Sequence, residues 1–333
     1  MLSKFTIIKL SRPFDEDLFL EEITQLKPQT PQGEEKVFWW ADGLDPMSPA
    51  STDTSVRANI TDVSLAIAEK KLDGAELKRR VNHHVKHMKS QGVVLSRKDK
   101  AEFQADLKSE MLKDAPVVKK FLRAVFFRGS DLGYVEASTD KQADEVCLRC
   151  PFRPYPLRIQ DILDPSVFKG LAPWQHVRTA EPCVELYSEF LTYLLYESDH
   201  GRSGVLLECP FTFAHPDDSP SAPVVKVEHE EKAREIGVAL NRGKRLVAAQ
   251  VTRVNQQGNP DKFTLKGNLF SIQGWKPGLE LEGEFDPIIR ADSHHEYARD
   301  FLENQWIPQI REYVEYKRTA CMRDVGEWVK SSG

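Results

Sequence analysis

Two helical segments with narrow apolar stripes, one on each side of Gly92, constrain the fold of this chain most strongly. Apolar residues recur every three or four positions, as a helix requires: Leu77, Val81, Val85 and Met88 in residues 75–91, and Phe103, Leu107 and Met111 in residues 97–115. Gly92 predicts the end of the first helix, and Ser96 with Asp99 predicts a capped start of the second. A narrow stripe covers a sheet poorly but suits a two-helix hairpin, so we predict a finger of about 25 Å that protrudes from the body.

Strand-like and helix-like segments surround this hairpin. The predicted strands are residues 4–10, 37–40, 60–69, 124–128, 134–137, 154–158, 224–228, 246–254 and 263–272. The other predicted helices are residues 14–26, 139–149, 183–197 and 295–331, the last kinked or broken at Pro308. The pattern predicts an α+β fold of antiparallel sheets with packed helices and a protruding two-helix finger.

The prolines of residues 160–182 predict a domain boundary. We therefore expect an N-terminal α+β domain built from residues 1–72 and 116–160, the finger at 73–115, and a C-terminal α+β domain at 161–333.

Positive charge is concentrated in one segment of a chain whose formal net charge is −5. Residues 70–128 hold 16 Lys and Arg against 7 Asp and Glu, a surplus of nine, so the remainder carries −14. Lys and Arg neutralise phosphate and release condensed counterions, which gives affinity for nucleic acid without reading bases. The candidate DNA-binding residues are Lys78, Arg79, Arg80, Lys86, Lys89, Arg97, Lys98, Lys100, Lys119, Lys120 and Arg123.

Five cysteines in a chain of this size are too few for a disulfide framework and favour a reducing compartment, the cytoplasm. We expect no cofactor and no membrane span, because no apolar run reaches 18 residues.

Other chemistry-bearing patterns are weaker. His83 and His87 lie four residues apart and could hold a metal, but neighbouring cations oppose it, so we predict no metal site. Cys147 and Cys150 form one CxxC without a second pair, which favours structural thiols. The chain lacks P-loop, GxGxxG and GxSxG patterns, and we expect no enzyme.

Two alternatives stay open. A metal-dependent nuclease would need clustered carboxylates near a lysine, for which the candidates are Glu208, Glu228 with Lys226, and Asp292 with Glu296. A protein-interaction module would instead dock the basic finger on an acidic partner.

The order of the pieces resembles the recombination-associated RdgC family over residues 4–150. The resemblance rests on an opening strand that ends in KLSRP and a strand with an aromatic pair and a proline, FWWADGLDP. It also rests on a strand that runs into a basic helix, VSLAIAEKKLDGAELKRRVNHHVKHMKSQG, a second helix, LSRKDKAEFQADLKSEMLKDAP, and the β-hairpin FFRGSDLGYVEASTDKQADEV. It implies a nucleoid-associated homodimer that forms a ring around double-stranded DNA without sequence preference and restrains recombinase filaments. Recombination would thereby be modulated.

The resemblance also implies a ring-closing contact near a basic and aromatic fingertip segment. Residues 116–121 (PVVKKF) fall at that place, although they do not reproduce the family's Pro-Arg-x-Phe pattern. Phe121 and Pro116 are therefore the expected dimer contacts, with Lys119 and Lys120 beside them.

Overall fold

The computed structural model describes residues 2–23, 27–33, 35–51, 55–57, 59–137, 139–163, 182–202, 204–214, 225–227, 233–255, 257–279 and 286–332. The predicted boundary at 160–182 lies mostly outside these residues.

The described residues form an α+β structure with antiparallel strand pairing, which confirms the predicted fold class at that level. The strands are β1 (Leu2–Lys9), β2 (Lys36–Asp42), β3 (Val56–Arg57), β4 (Ile60–Lys70), β5 (Val117–Phe127), β6 (Leu132–Glu136), β7 (Tyr155–Pro156), β8 (Val205–Ala214), β9 (Val225–Val227), β10 (Arg245–Val254), β11 (Pro260–Lys266) and β12 (Ser271–Lys276). The helices are α1 (Glu16–Ile23), α2 (Gly74–Ser90), α3 (Arg97–Lys113), α4 (Asp140–Arg149), α5 (Pro182–Asp199), α6 (Ala233–Asn241), α7 (Pro287–Asp300), α8 (Ile307–Glu312) and α9 (Arg318–Ser332).

The chain divides into two compact units, and the division differs from the predicted domains. Unit 1 contains residues 1–14, 57–61 and 125–333, and unit 2 contains residues 15–56 and 62–124. The first strand and the C-terminal half thus share one unit, because β1 pairs with β12 as well as with β6.

Unit 1 contains a long sheet with helices packed against it. Its strand order runs from the end of β5 through β6, β1, β12, β11, β10 and β8 to β9, and β7 also pairs with β1. The strongly apolar α5 packs on β8 and β10 and buries Phe190. Phe190 contacts the rings of Trp306 and Tyr313, so aromatic packing joins α5 to the C-terminal helices.

One prediction in unit 1 is wrong. Residues 263–272 are two strands rather than one, since Gly267 has a φ of +71° and the chain turns there between β11 and β12.

The interruption predicted at Pro308 corresponds to a change of helix type. A π-helical segment, Phe301–Trp306, directly precedes α8, and Pro308 is the second residue of α8. The wider π turn places the amide of Ile307 on the carbonyl of Leu302 and accommodates the proline ring at the start of α8.

Unit 2 consists of α1, the α2–α3 hairpin and a sheet with the strand order β2-β4-β5. β2 and β4 pair antiparallel, with Trp39 opposite Ala66 and Trp40 opposite Leu65. The ring of Trp40 packs against the ring of Phe19, a residue of α1, with the two centroids 5.6 Å apart. The hairpin leaves the sheet at the end of β4 and returns at the start of β5, where the Lys71 amide donates to the Pro116 carbonyl at 3.0 Å.

Within the described part of the chain, no helix combines the length and the apolar character needed to cross a bilayer.

Candidate nucleic-acid interface

The helices of the hairpin begin and end at residues whose cap hydrogen bonds are formed. Asp73 caps α2 by accepting from the amides of Ala75 and Glu76 at 2.9 and 3.2 Å. Gly92, with a φ of +80°, follows the C-cap residue Gln91 and turns the chain at the end of α2, as the sequence predicted. Ser96 and Asp99 form the predicted capping box at the start of α3. A short loop, residues 91–95, therefore joins two helices with fixed ends.

The two helices contact each other along a narrow seam. Leu77 and Leu112 are the buried residues of α2 and α3, and both lie near the sheet end of the hairpin. Farther out, the imidazole of His84 stacks on the ring of Phe103, with centroids 3.7 Å apart. The sequence pattern did not predict this pair. The outer turns thus stay exposed, consistent with a narrow stripe.

A basic stripe runs along the solvent side of α2. Lys78, Lys86 and Lys89 are exposed and, with Asn82, recur at spacings of four, four and three residues, so they share one helix face. None of the three lysines has a carboxylate partner among the described residues. Over its whole length α2 carries five Lys and Arg against one Glu. We call Lys78, Lys86 and Lys89 the lysine stripe.

Arg79 and Arg80 share the single carboxylate of α2. Nε of Arg79 lies 2.6 Å from Glu76 Oε2, and Nε of Arg80 lies 2.7 Å from Glu76 Oε1. Hydrogen bonds from Arg79 and then Arg80 lower the pKa of Glu76 to about 2. The trio keeps one net positive charge, but its guanidinium groups are less available to an external anion than the lysine stripe.

Helix α3 contributes less positive charge than expected from its place in the basic segment, residues 70–128. It carries five Lys and Arg against four Asp and Glu, and its surplus lies at the first turn. Arg97, Lys98 and Lys100 are exposed there, and Lys98 lies 3.8 Å from Glu102. The basic surface is thus α2 together with the start of α3.

The segment expected at the fingertip lies at the other end of the hairpin. Pro116 follows α3 directly and Phe121 belongs to β5, where it packs against the Trp39 cluster. The prediction that this segment forms the fingertip is wrong. Residues 117–121 belong to β5, which begins seven residues before the strand predicted at 124–128, and β5 lies at the sheet end of the hairpin. A dimer contact at Phe121 and Pro116 stays a prediction.

Lys119 and Lys120 remain exposed on β5, in contact with other groups. Lys119 Nζ lies 5.7 Å above the Trp39 ring, and Lys120 Nζ lies 3.1 Å from Glu69. Hydrogen bonding from Lys120 lowers the pKa of Glu69, to which Lys36 also contributes. These two lysines lie beside the base of the hairpin.

Arg123 is a structural residue and not a phosphate ligand. Its guanidinium donates two hydrogen bonds, at 2.8 and 2.6 Å, to Asp62, whose side chain is fully buried. Gly43 packs against this carboxylate so closely that an added Cβ would lie 1.9 Å from Asp62 Oδ1. The assignment of Arg123 to DNA binding is therefore corrected: its charge neutralises a buried carboxylate.

Charge is segregated inside unit 2 rather than between a basic finger and an acidic remainder. Unit 2 holds 17 Lys and Arg and 19 Asp and Glu, and unit 1 holds 29 and 32. Residues 15–53 supply ten of the acidic residues of unit 2, four of them on α1. The basic surface is thus local to the hairpin.

The metal and nuclease candidates that the structure describes are not gathered into a metal-binding group. Among the described residues, no group of three His, Cys, Asp or Glu side chains could hold a metal ion. His83 and His87 are exposed, and Glu208 accepts a hydrogen bond from Thr252 at 2.6 Å. Lys226 is exposed on β9. Glu228 lies outside the described residues, and Asp292 and Glu296 lie on α7.

The CxxC motif lies in a helix, as predicted. Cys147 is in α4 and Cys150 is its C-cap residue, and both side chains are buried. Burial, with Asp144 nearby, raises the pKa of Cys147 to about 12. A redox-active thiol requires a lowered pKa, so these cysteines are suited to packing.

Unit 1 also contains a polar cavity of about 480 Å³ near the end of β1. Lys9, Arg12 and Arg299 line it, and so do Asp131 and Glu303. Lys9 lies 3.5 Å from Asp131 and Arg299 lies 3.0 Å from Glu303. Most of its charge is therefore compensated internally.

No protein-family model matches the chain, and no curated protein matches it significantly.

Proposed function

We propose that this chain binds the phosphate backbone of double-stranded DNA without sequence preference, through the lysine stripe of α2. The observation that carries the proposal is three exposed lysines on one helix face, each without a carboxylate partner in the described structure. Exposed cations without partners attract polyanions, and binding releases the counterions condensed on DNA.

The type of residue favours positioning over base reading. An ammonium group is a compact point charge, whereas recognition of a base edge usually takes a planar fork such as arginine or an amide. The two arginines of α2 are held by Glu76. The proposal therefore includes little discrimination between sequences.

The wider role rests on the resemblance to the RdgC family. We propose a nucleoid-associated homodimer with an RdgC-like fold that encircles DNA, restrains recombinase filaments and so modulates recombination, without enzymatic activity. The hairpin at 74–113 is the element of this chain that such a ring would present to the duplex.

Charge reversal of the lysine stripe tests the DNA contact. The variant K78E/K86E/K89E should bind a fluorescent duplex far more weakly, by a similar factor on unrelated sequences. The slope of log affinity against log salt should shrink by roughly three, because each phosphate contact contributes about 0.9 to it.

The matched control is K266E/K276E/R290E, which changes the net charge equally at exposed positions of unit 1. It should keep most of the affinity and the full salt slope. Equal losses in the two variants would mean that only net charge matters, and binding that is insensitive to salt would contradict a phosphate contact.

The same protein separates the other candidate functions. A metal-dependent nuclease would nick supercoiled plasmid in the presence of Mg²⁺. A module for an acidic protein partner would leave naked DNA unbound at low salt. We expect neither outcome.

A further inference from the structure

The loop at the tip of the hairpin exposes apolar side chains. Val93 is 44% exposed and Val94 is 87% exposed, although both lie between two highly charged helices. Neither valine contributes to a hydrophobic core cluster. Folding alone gains little from an apolar residue that stays in water, so the tip presents a small apolar surface outward.

Cations surround this apolar tip. Lys89 lies in the last turn of α2, and Arg97, Lys98 and Lys100 lie in the first turn of α3. The acidic residue among them, Asp99, accepts a hydrogen bond from the Ser96 amide at 2.9 Å as part of the capping box. Hydrogen bonding from the Ser96 side chain, and then from this amide, lowers the pKa of Asp99, so its carboxylate belongs to the cap.

We propose that the tip is an apolar wedge that enters the minor groove of DNA, with Val94 leading and the four cations on the flanking phosphates. This inference rests on the proposed DNA binding and extends it to a defined second contact. Proteins that bend DNA insert apolar side chains between base steps of the minor groove and partly unstack them. The minor groove is only about 6 Å wide, so it admits a loop side chain but not a two-helix hairpin.

The caps make the tip suited to this insertion. Gly92 and the Ser96 capping box fix both ends of the loop, and the Val93 amide donates to the Met88 carbonyl at 3.0 Å. A loop already held in one conformation loses little entropy on binding.

Charge complementarity favours DNA over the other possible binding partners of the apolar tip, which are a second copy of this chain and an anionic membrane. A second copy of this chain carries a net charge of only −5 over 333 residues, whereas duplex DNA carries one negative charge per about 1.7 Å of its axis and so attracts the four cations of the tip more strongly. An anionic membrane usually takes an amphipathic helix along its length, whereas α2 and α3 use their apolar residues against each other.

The test compares V93S/V94S with wild type on a duplex that carries 2-aminopurine, whose fluorescence rises when its base is unstacked. Wild type should raise the fluorescence severalfold. The variant should lose most of that rise and bind about tenfold more weakly, with an unchanged salt slope. The control L148S/V254S alters two apolar side chains of unit 1 that are 75% and 52% exposed, and it should behave as wild type.

The outcomes separate the wedge from the DNA contact itself. If wild type binds DNA with a steep salt slope but neither protein changes the fluorescence, the wedge is wrong and the lysine stripe stands. If wild type does not bind DNA, the proposed function has failed first. If V93S/V94S instead abolishes binding to phosphatidylserine vesicles, or converts a dimer to a monomer in sedimentation, the tip serves a membrane or a second copy and the wedge is overturned.

Discussion

Arg123 and the lysine stripe carry the same charge in opposite surroundings. The side chain of Arg123 is 23% exposed and its guanidinium donates two hydrogen bonds to Asp62, whereas the three lysines extend into solvent. A planar fork matches a buried carboxylate, and an ammonium group is strongly hydrated. Sequence counts treat these residues alike, so residue burial decides which cations can meet DNA.

Arg123→Ala should destabilise the protein by about 3–5 kcal/mol, because it leaves the buried Asp62 carboxylate without compensation. Urea unfolding followed by circular dichroism measures the loss. Lys120→Ala is the control: its ion pair with Glu69 is exposed and should cost less than about 1 kcal/mol. Similar losses in the two variants would contradict a structural role for Arg123.

Glu76 should titrate at a pKa of about 2, as followed by the NMR shift of its carboxyl carbon. Its folded pKa lies below the unfolded value, so the pairs with Arg79 and Arg80 stabilise the fold fully above the unfolded pKa. This stabilisation is lost as the pH falls through the folded pKa. In the double variant R79Q/R80Q the midpoint should return toward 4.5, the ordinary value. An unchanged midpoint would show that the arginines do not cause the shift.

The hairpin is the element that the sequence predicts best, because its signals are local. Helical spacing, Gly92 and the Ser96–Asp99 pair each act within a few residues, and the helices end within two residues of the expected positions. Strand β8 pairs with β10 and strand β12 pairs with β1, and both partners are distant in the chain. Sequence patterns therefore gave no prediction for β8 and merged β12 with β11. The same limit explains Arg123, since its partner Asp62 lies 61 positions away.

Removing the cap of α3 should loosen the tip of the hairpin. Ser96→Ala deletes the hydroxyl that accepts from the Asp99 amide and should cost about 1 kcal/mol. Because the hairpin lies outside the main core, the effect is read as faster hydrogen exchange in the first turn of α3. Ser109→Ala, an exposed mid-helix change, should slow exchange slightly or leave it alone. Equal behaviour of the two variants would contradict a working cap.

Freeing the arginines of α2 should strengthen DNA binding. Glu76→Gln removes the carboxylate that holds Arg79 and Arg80, so two further cations become available to phosphate. Affinity should rise severalfold at low salt, and the salt slope should become steeper by about one to two. Glu327→Gln, which makes the same change of charge at an exposed position of unit 1, is the control. A fall in affinity for Glu76→Gln would mean that the pairs instead position the lysine stripe.

At the scale of the whole molecule, the net negative charge opposes the attraction of DNA to the basic surface of the hairpin. Both units carry a small excess of acidic residues, so a single hairpin offers few phosphate contacts and little long-range attraction. Two hairpins in a dimer would act at a high effective concentration and strengthen binding without new contacts. A closed ring would add a topological barrier to release that does not depend on salt.

Encirclement can therefore be separated from simple phosphate binding by the shape of the DNA. Complexes formed at low salt on circular plasmid and on the same plasmid cut once should have equal initial occupancy, because the phosphate contacts are the same. When challenged with about 0.5 M salt, a screening regime in which charge contacts are weak, the ring should stay on circles and slide off linear ends. Retention on cut plasmid whose ends are blocked by bound streptavidin is the control for end release. Equal loss from circular and linear DNA would refute the ring, yet it would leave binding by the lysine stripe intact, because that contact requires only exposed cations.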